Sequence, residues 1–249
     1  MSLVCIAILL LLAIGAAPVA RRPWAGGVVY TGYFLTSIVG LVDALPVLIG
    51  SAQGWSVVLP LGLPWIGAHF TLDSLSAFFL SLIHLGGAMA SCYALGYGRH
   101  EHAPQRVLPF YPAFLAGMSL VVLAADAFTF LLSWEFMSLA SWALVMAHHK
   151  VRENASAGYV YVAMASFGTF ALLMAFGMLA GPDGGYTFSA MREGIHAPWQ
   201  EAVILVLVLL GAGSKAGLVP LHVWLPLAHP AAPSPVSYTH LTLPTNREV

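Results

Sequence analysis

Charge is scarce in this sequence. Of its 249 residues only 8% are Asp, Glu, Lys or Arg, whereas 59% are hydrophobic; a soluble domain is about a quarter charged. So few ionic groups cannot cover a water-exposed surface, and the chain reads as an integral membrane protein. The charges nearly balance, at −1 net, and form no basic stripe, which argues against a nucleic-acid partner. Cysteine is almost missing. Cys5 and Cys92 both lie in apolar runs without a CxxC or a metal-ligand spacing, so they read as small buried packing residues and no metal site is expected. There is no Gly-rich phosphate loop with lysine and serine and no cysteine set for an iron–sulfur cluster. The expected cofactor set is empty, and any redox reaction belongs to another subunit.

What is present is apolar length. Seven stretches match the roughly 20 residues a membrane helix needs: 3–20, 27–50, 75–97, 107–125, 127–147, 155–180 and 201–219. Turn-forming segments separate them, among them RRPWAG, GYGRHEHAPQR and HHKVREN. The first stretch is followed, not preceded, by Arg21 and Arg22, which is the reverse of a secretory signal; it reads as a retained helix with its N-terminus outside. The apolar segment 51–73 carries Pro60, Pro64, Gly54, Gly62 and Gly67, so it reads as a surface hairpin or loop. Seven spans place Arg21, Arg22, Arg99, Arg106, Lys150 and Arg152 on one side and Arg192 on the other. An eighth span would split the first two from the rest, and the positive-inside rule prefers seven. The polar tail SYTHLTLPTNREV resembles translated sequencing-adaptor read-through, so 237–249 is set aside as non-native and the natural protein is expected to continue.

Two ionisable residues fall deep within spans. Glu135 lies nine residues after Asp126 in LLSWEFMSLAS, about 13 Å into a core of about 30 Å. A central charge costs on the order of 2.5–3.5 kcal/mol. Ser138 and Trp142 share its helix face. Lys215, in LGAGSKAGLVPLHVWLPLAHP, is about 21 Å along its span. Pro220 and Pro226 cannot donate to the carbonyls of Ala216 and His222, so the helix is expected to break just after the lysine. Non-helical backbone at that depth needs protein or a water-lined cavity around it. An acid and a base so placed are expected to pair and to exchange protons. His222 and His229 follow in the broken segment as weaker relay candidates. His84, midway along the third span, is weaker still. His148 and His149 mark the inner boundary, and Asp43 lies near the outer headgroups.

The stretches LLSWEFMSLASWALVMAHH, GAGSKAGLVPLHVWLPLAHPAAPSPVS and LPLGLPWIGAHFTLDSLSAFF resemble the proton-conducting antiporter-like subunits shared by respiratory complex I, membrane-bound hydrogenases and Mrp antiporters. The form HxWLPxAHPAAPS is most similar to component B of hydrogenase-4 and its formate hydrogenlyase counterpart. The resemblance implies a glutamate on the fifth helix and a lysine on a broken seventh as the central pair of a half-channel, matching Glu135 and Lys215. It implies about fourteen helices with two inverted five-helix repeats. Of these the chain would hold three N-terminal helices (1–106, with an outside loop at 51–73) and most of the first repeat (107–236). The expected architecture is thus all-α, with seven transmembrane helices, the seventh broken, forming part of an antiporter-like fold. The expected function is proton translocation within a redox-driven complex in a bacterial inner membrane, partnered by other membrane and peripheral subunits. An Mrp-type cation/proton antiporter subunit carrying sodium, a complex I subunit and an inert membrane anchor are the competing readings.

Overall fold

The computed structural model describes residues 1–62, 66–98, 101, 103–182 and 184–232. Arg99, Pro64 and the 237–249 tail lie outside the described residues. In lipid a backbone must satisfy its own hydrogen bonds, so the uncharged runs become helices. They are α1 (Ser2–Val19), α2 (Ala25–Leu48), α3 (Ser74–Tyr97), the short α4 (Pro104–Val107), α5 (Phe110–Leu123), α6 (Ala127–Val145), α7 (Arg152–Ala180), the short α8 (Phe188–Glu193), α9 (Pro198–Ala216) and α10 (Leu225–Ala231). Among the described residues, seven units are long and apolar enough to span a membrane, with α4–α5 and α9–α10 each counting as one. The protein is a multi-pass helical membrane protein whose seventh span is broken. Many large apolar side chains remain on the outside, Leu11, Val42, Leu82 and Phe170 among them, as a lipid-facing surface requires.

The described residues of segment 51–73 pair as the two arms of a β-hairpin. Strands β1 (Trp55–Leu59) and β2 (Ala68–Leu72) pair antiparallel, Trp55 opposite Leu72 and Leu59 opposite Ala68. Ala68, Phe70 and Leu72 alternate inward, so one face of β2 packs on the helix ends. Gly67 turns the chain at φ +71°, and a Cβ there would lie 2.9 Å from Val58 and 3.0 Å from the Leu59 carbonyl. The hairpin is fixed to the α5–α6 corner by the Ala125 N–H donating to the His69 carbonyl at 2.9 Å. Asp126 completes the joint. It is wholly buried, and it accepts from the Thr129 N–H at 2.7 Å, the Thr129 hydroxyl at 2.6 Å and the His69 N–H at 2.8 Å. One carboxylate therefore caps α6 and holds the hairpin.

The basic residues collect at the opposite end. Arg21, Arg22 and Glu101 wall one pocket there. His148 bonds Glu101 at 2.9 Å, and Arg106 meets His149. Arg192 lies instead beside Thr71 and Asp73 at the hairpin end, so the described residues keep the charge asymmetry read from the sequence. Cys5 is buried as expected, but Cys92 is exposed. Its neighbour Ser91 takes the interior position because its hydroxyl can pair with that of Tyr111, 3.2 Å away.

Asp126→Ala is expected to cost on the order of 2 kcal/mol or more, because it removes a cap and orphans buried donors; thermal unfolding in detergent reads this directly. Asp73 caps α3. Burial alone would push its carboxyl up, but the Ser76 N–H and hydroxyl that bond it pull it below its usual range. Its contribution is therefore complete above the unfolded value near 3.9 and disappears as pH falls through the lower folded value. Asp73→Asn is expected to remove that part of the acid limb in a stability-versus-pH profile.

Candidate functional site

The site is built where α6, α7 and α9 meet. Helices α7 and α9 approach very closely at Gly168 and Gly211. A Cβ on Gly168 would lie 2.2 Å from the Ser214 hydroxyl, and one on Gly211 would lie 3.0 Å from the Gly168 carbonyl. This contact points the last turn of α9, and with it Lys215, toward α6 and α7.

The helix breaks two residues later. Gly217 adopts the left-handed conformation, φ +73° and ψ 36°, and the Leu218 N–H returns to the Gly213 carbonyl at 2.9 Å, which is the usual glycine-terminated helix end. The chain then runs through a 3₁₀ turn, Leu221–Trp224, before α10 begins. The Trp224 indole N–H donates to the Ser214 carbonyl at 2.6 Å, so a side chain from beyond the break satisfies a backbone group that the break releases. The break falls at Gly217 and not at Pro220, because glycine enters the left-handed region without steric cost.

Lys215 and Glu135 are both half-buried, and they do not touch. The Lys215 ammonium donates to the Tyr161 hydroxyl at 2.6 Å and the Ser138 hydroxyl at 3.1 Å. It also lies 4.9 Å from the centre of the Tyr161 ring and 6.0 Å from that of Trp134. The Ser138 hydroxyl donates to the Trp134 carbonyl, and Tyr161 pairs with the Ser141 hydroxyl, which donates to the Ser138 carbonyl. Those protons are committed away from the lysine, so toward Lys215 both hydroxyls act as acceptors. Glu135 takes a different partner, the Thr169 hydroxyl at 2.7 Å. Ser138 and Glu135 are three residues apart on α6, about 4.5 Å along the axis. The acid and the base therefore occupy adjacent turns of one interface, each on neutral oxygen, and the direct ion pair expected from the sequence is not made.

The weaker candidates are more scattered. His222 is exposed in the 3₁₀ turn, and His229 is half-buried on α10. Asp43 accepts from the Ser2 hydroxyl. His84 is 1% exposed with neither ring nitrogen bonded. Its spacing to Glu135 makes Ser138 legible in the sequence. Tyr161 and Thr169 carry no such signal. Their separation of eight residues, two helical turns, does place them on one face of α7, but nothing in the sequence says which helix that face meets.

An acid and a base within the spans of a multi-pass helical bundle, beside a broken helix, mark a candidate ion-handling site. Residues 124–243 match the family described as NADH:quinone oxidoreductase/Mrp antiporter, TM. An uncharacterized protein of Mycobacterium tuberculosis is 41% identical over 216 residues, covering 86% of this chain and 32% of that protein. Hydrogenase-4 component B of Escherichia coli is 35% identical over 208 residues, covering 82% and 31%. Among solved structures, the Mrp complex from Dietzia sp. superposes with a TM-score of 0.76 at 23% identity, covering 96% of this chain and 45% of that one. Over residues 124–243 the chain carries the transmembrane domain of the NADH:quinone oxidoreductase and Mrp antiporter family. It spans about a third of the length of those two relatives.

Gly168→Leu is expected to force α7 and α9 apart and to cost roughly 1–3 kcal/mol. Thermal unfolding should show the loss, and a cysteine cross-link between the two helices should form more slowly.

Proposed function

We propose that this chain carries part of a proton-translocating membrane subunit of a redox-driven complex of the hydrogenase-4 or formate hydrogenlyase type, with Glu135 and Lys215 as its proton-handling groups. The observation that carries the reading is the placement of Lys215: an amine at membrane depth, next to a helix break, held by two neutral hydroxyls while the only carboxylate on the facing helix turn lies on Thr169. The ammonium has no counter-charge in contact, and the Glu135 carboxylate, one turn away on Thr169, is the group whose approach would supply one. Alternation between these arrangements is a proton-loading step with both end states built from residues of this interface. Glu135 is the positioning acid and Lys215 the proton carrier, while His222 and His229 are the relay candidates beyond the break.

The hydrogenase-type assignment rests on the similarity to hydrogenase-4 component B and on the HxWLPxAHPAAPS form. It implies a bacterial inner-membrane location with the N-terminus outside, the basic end facing the cytoplasm, and peripheral redox subunits as partners. In the assembled complex reconstituted in vesicles, Glu135→Gln and Lys215→Ala are each expected to abolish redox-driven proton pumping, with insertion and assembly retained. Undiminished pumping would leave the two residues as inert packing and the chain as an anchor. Co-purification with a nickel–iron hydrogenase module is the expected partner result; recovery with small antiporter subunits and sodium-dependent transport would move the chain to the Mrp class.

A further inference from the structure

The α2–α3 interface contains a second set of buried polar groups that the Glu135–Lys215 site does not use. His84 on α3 is 1% exposed, and neither ring nitrogen has a hydrogen-bond partner. The hydroxyls of Tyr33 and Ser37, on residues 0% exposed, are likewise unpartnered. Native interiors rarely leave such groups unpaired unless they serve chemistry or hold solvent. Packing holds them in place. The Nε2 edge of His84 lies over Gly40, where a Cβ would come within 2.3 Å, and the Tyr33 hydroxyl lies over Gly87, where a Cβ would come within 2.5 Å. Each polar side chain thus occupies a notch that only glycine leaves open in the opposite helix.

These groups form a file. Along α2 run Tyr30, Tyr33, Ser37 and then Gly40 with His84 against it, about 15 Å of helix, or half the thickness of a hydrocarbon core. Tyr111 of α5 packs edge-on against both tyrosines and pairs with Ser91 of α3. At the basic end, Tyr30 lines a pocket of about 410 Å³ whose wall also holds Glu101, Arg21 and Arg22, and His148 bonds Glu101. Toward the other end, Asp43 lies on α2 three residues, about one turn, beyond the Gly40 that His84 packs against. Asp43 is itself met by the Ser2 hydroxyl and, at 3.5 Å, by the chain's amino group. The file therefore runs from one charged group to another across the described bundle.

We infer that the α2–α3 interface is a second proton path, separate from Lys215, in which His84 is the proton-carrying residue between Asp43 and the pocket at Tyr30 and Glu101. The step balances within the imidazole: one ring nitrogen accepts a proton as the other releases one. Each hydroxyl of the file likewise accepts one proton and donates one. The inference builds on the proton-transport reading of the chain but uses neither Glu135 nor Lys215.

The test uses the complete membrane complex in vesicles, with a potassium diffusion potential set by valinomycin and a trapped pH dye. Lys215→Ala complexes are expected to keep a proton conductance without redox turnover, and adding His84→Gln is expected to lower it about a hundredfold or more, the scale on which a positioned proton-transfer group contributes. Should His84→Gln fail to insert, Tyr33→Phe removes one hydroxyl and keeps the ring against Gly87 and Tyr111; the same loss is expected. Lys215→Ala vesicles that conduct nothing, or conduct equally with and without these changes, overturn the second path. Redox-driven pumping is measured separately and reports on the Glu135–Lys215 site.

Discussion

The protein depends on one constraint: no polar group at membrane depth can be left to the lipid. Lys215 and the helix break beside it are tolerable only because other side chains close over them. Trp224 takes the Ser214 carbonyl, and Tyr161 and Ser138 take the ammonium. Each of these contacts costs conformational freedom and desolvation, which an inert apolar helix would not incur. Retaining them is reasonable where the charge has work to do.

The close crossing of α7 and α9 turns that constraint into geometry. With glycine at both contact positions, the two backbones approach far enough for the end of α9 to reach across to α6. A bulkier crossing would leave the lysine directed at lipid or at the headgroups. The hairpin acts in the same way at the far end. Asp126 binds α6, the hairpin and the α5–α6 corner through one buried carboxylate, so the start of the helix that carries Glu135 is fixed by hydrogen bonds and not by apolar packing alone. Both arrangements hold α6 in place beside the Thr169 hydroxyl that Glu135 accepts from.

Likeness to the Mrp complex extends across nearly the whole chain in fold while sequence identity is modest. Membrane helices explain that difference, because lipid-facing positions accept almost any apolar residue, whereas positions at crossings and breaks do not. The glycines at the α7–α9 contact, the glycine that ends α9 and the ionisable groups beside it belong to the second kind.

Much of the architecture could be read directly. The uncharged runs are long enough to force seven helical spans, the proline and glycine content of 51–73 rules out an eighth, and the glycine- and proline-rich sequence after Lys215 breaks its helix wherever it is packed. These are local consequences of backbone hydrogen bonding and of which residues can sustain a helix, so they do not depend on neighbours. Cys92 shows the boundary of such reasoning: an apolar run does not say which of its faces meets lipid. Nor does a sequence say which oxygen an amine will reach. Lys215 meets Ser138 across 77 positions and Tyr161 across 54, while Glu135 meets Thr169 across 34; those partners are set by helix rotation and crossing, which come from packing. The sequence alone determined that an acid and a base are buried in the membrane. Only the tertiary structure decided that they lie on adjacent turns with separate partners, because a single turn of α6 separates an ion pair from two independent hydrogen-bonded groups.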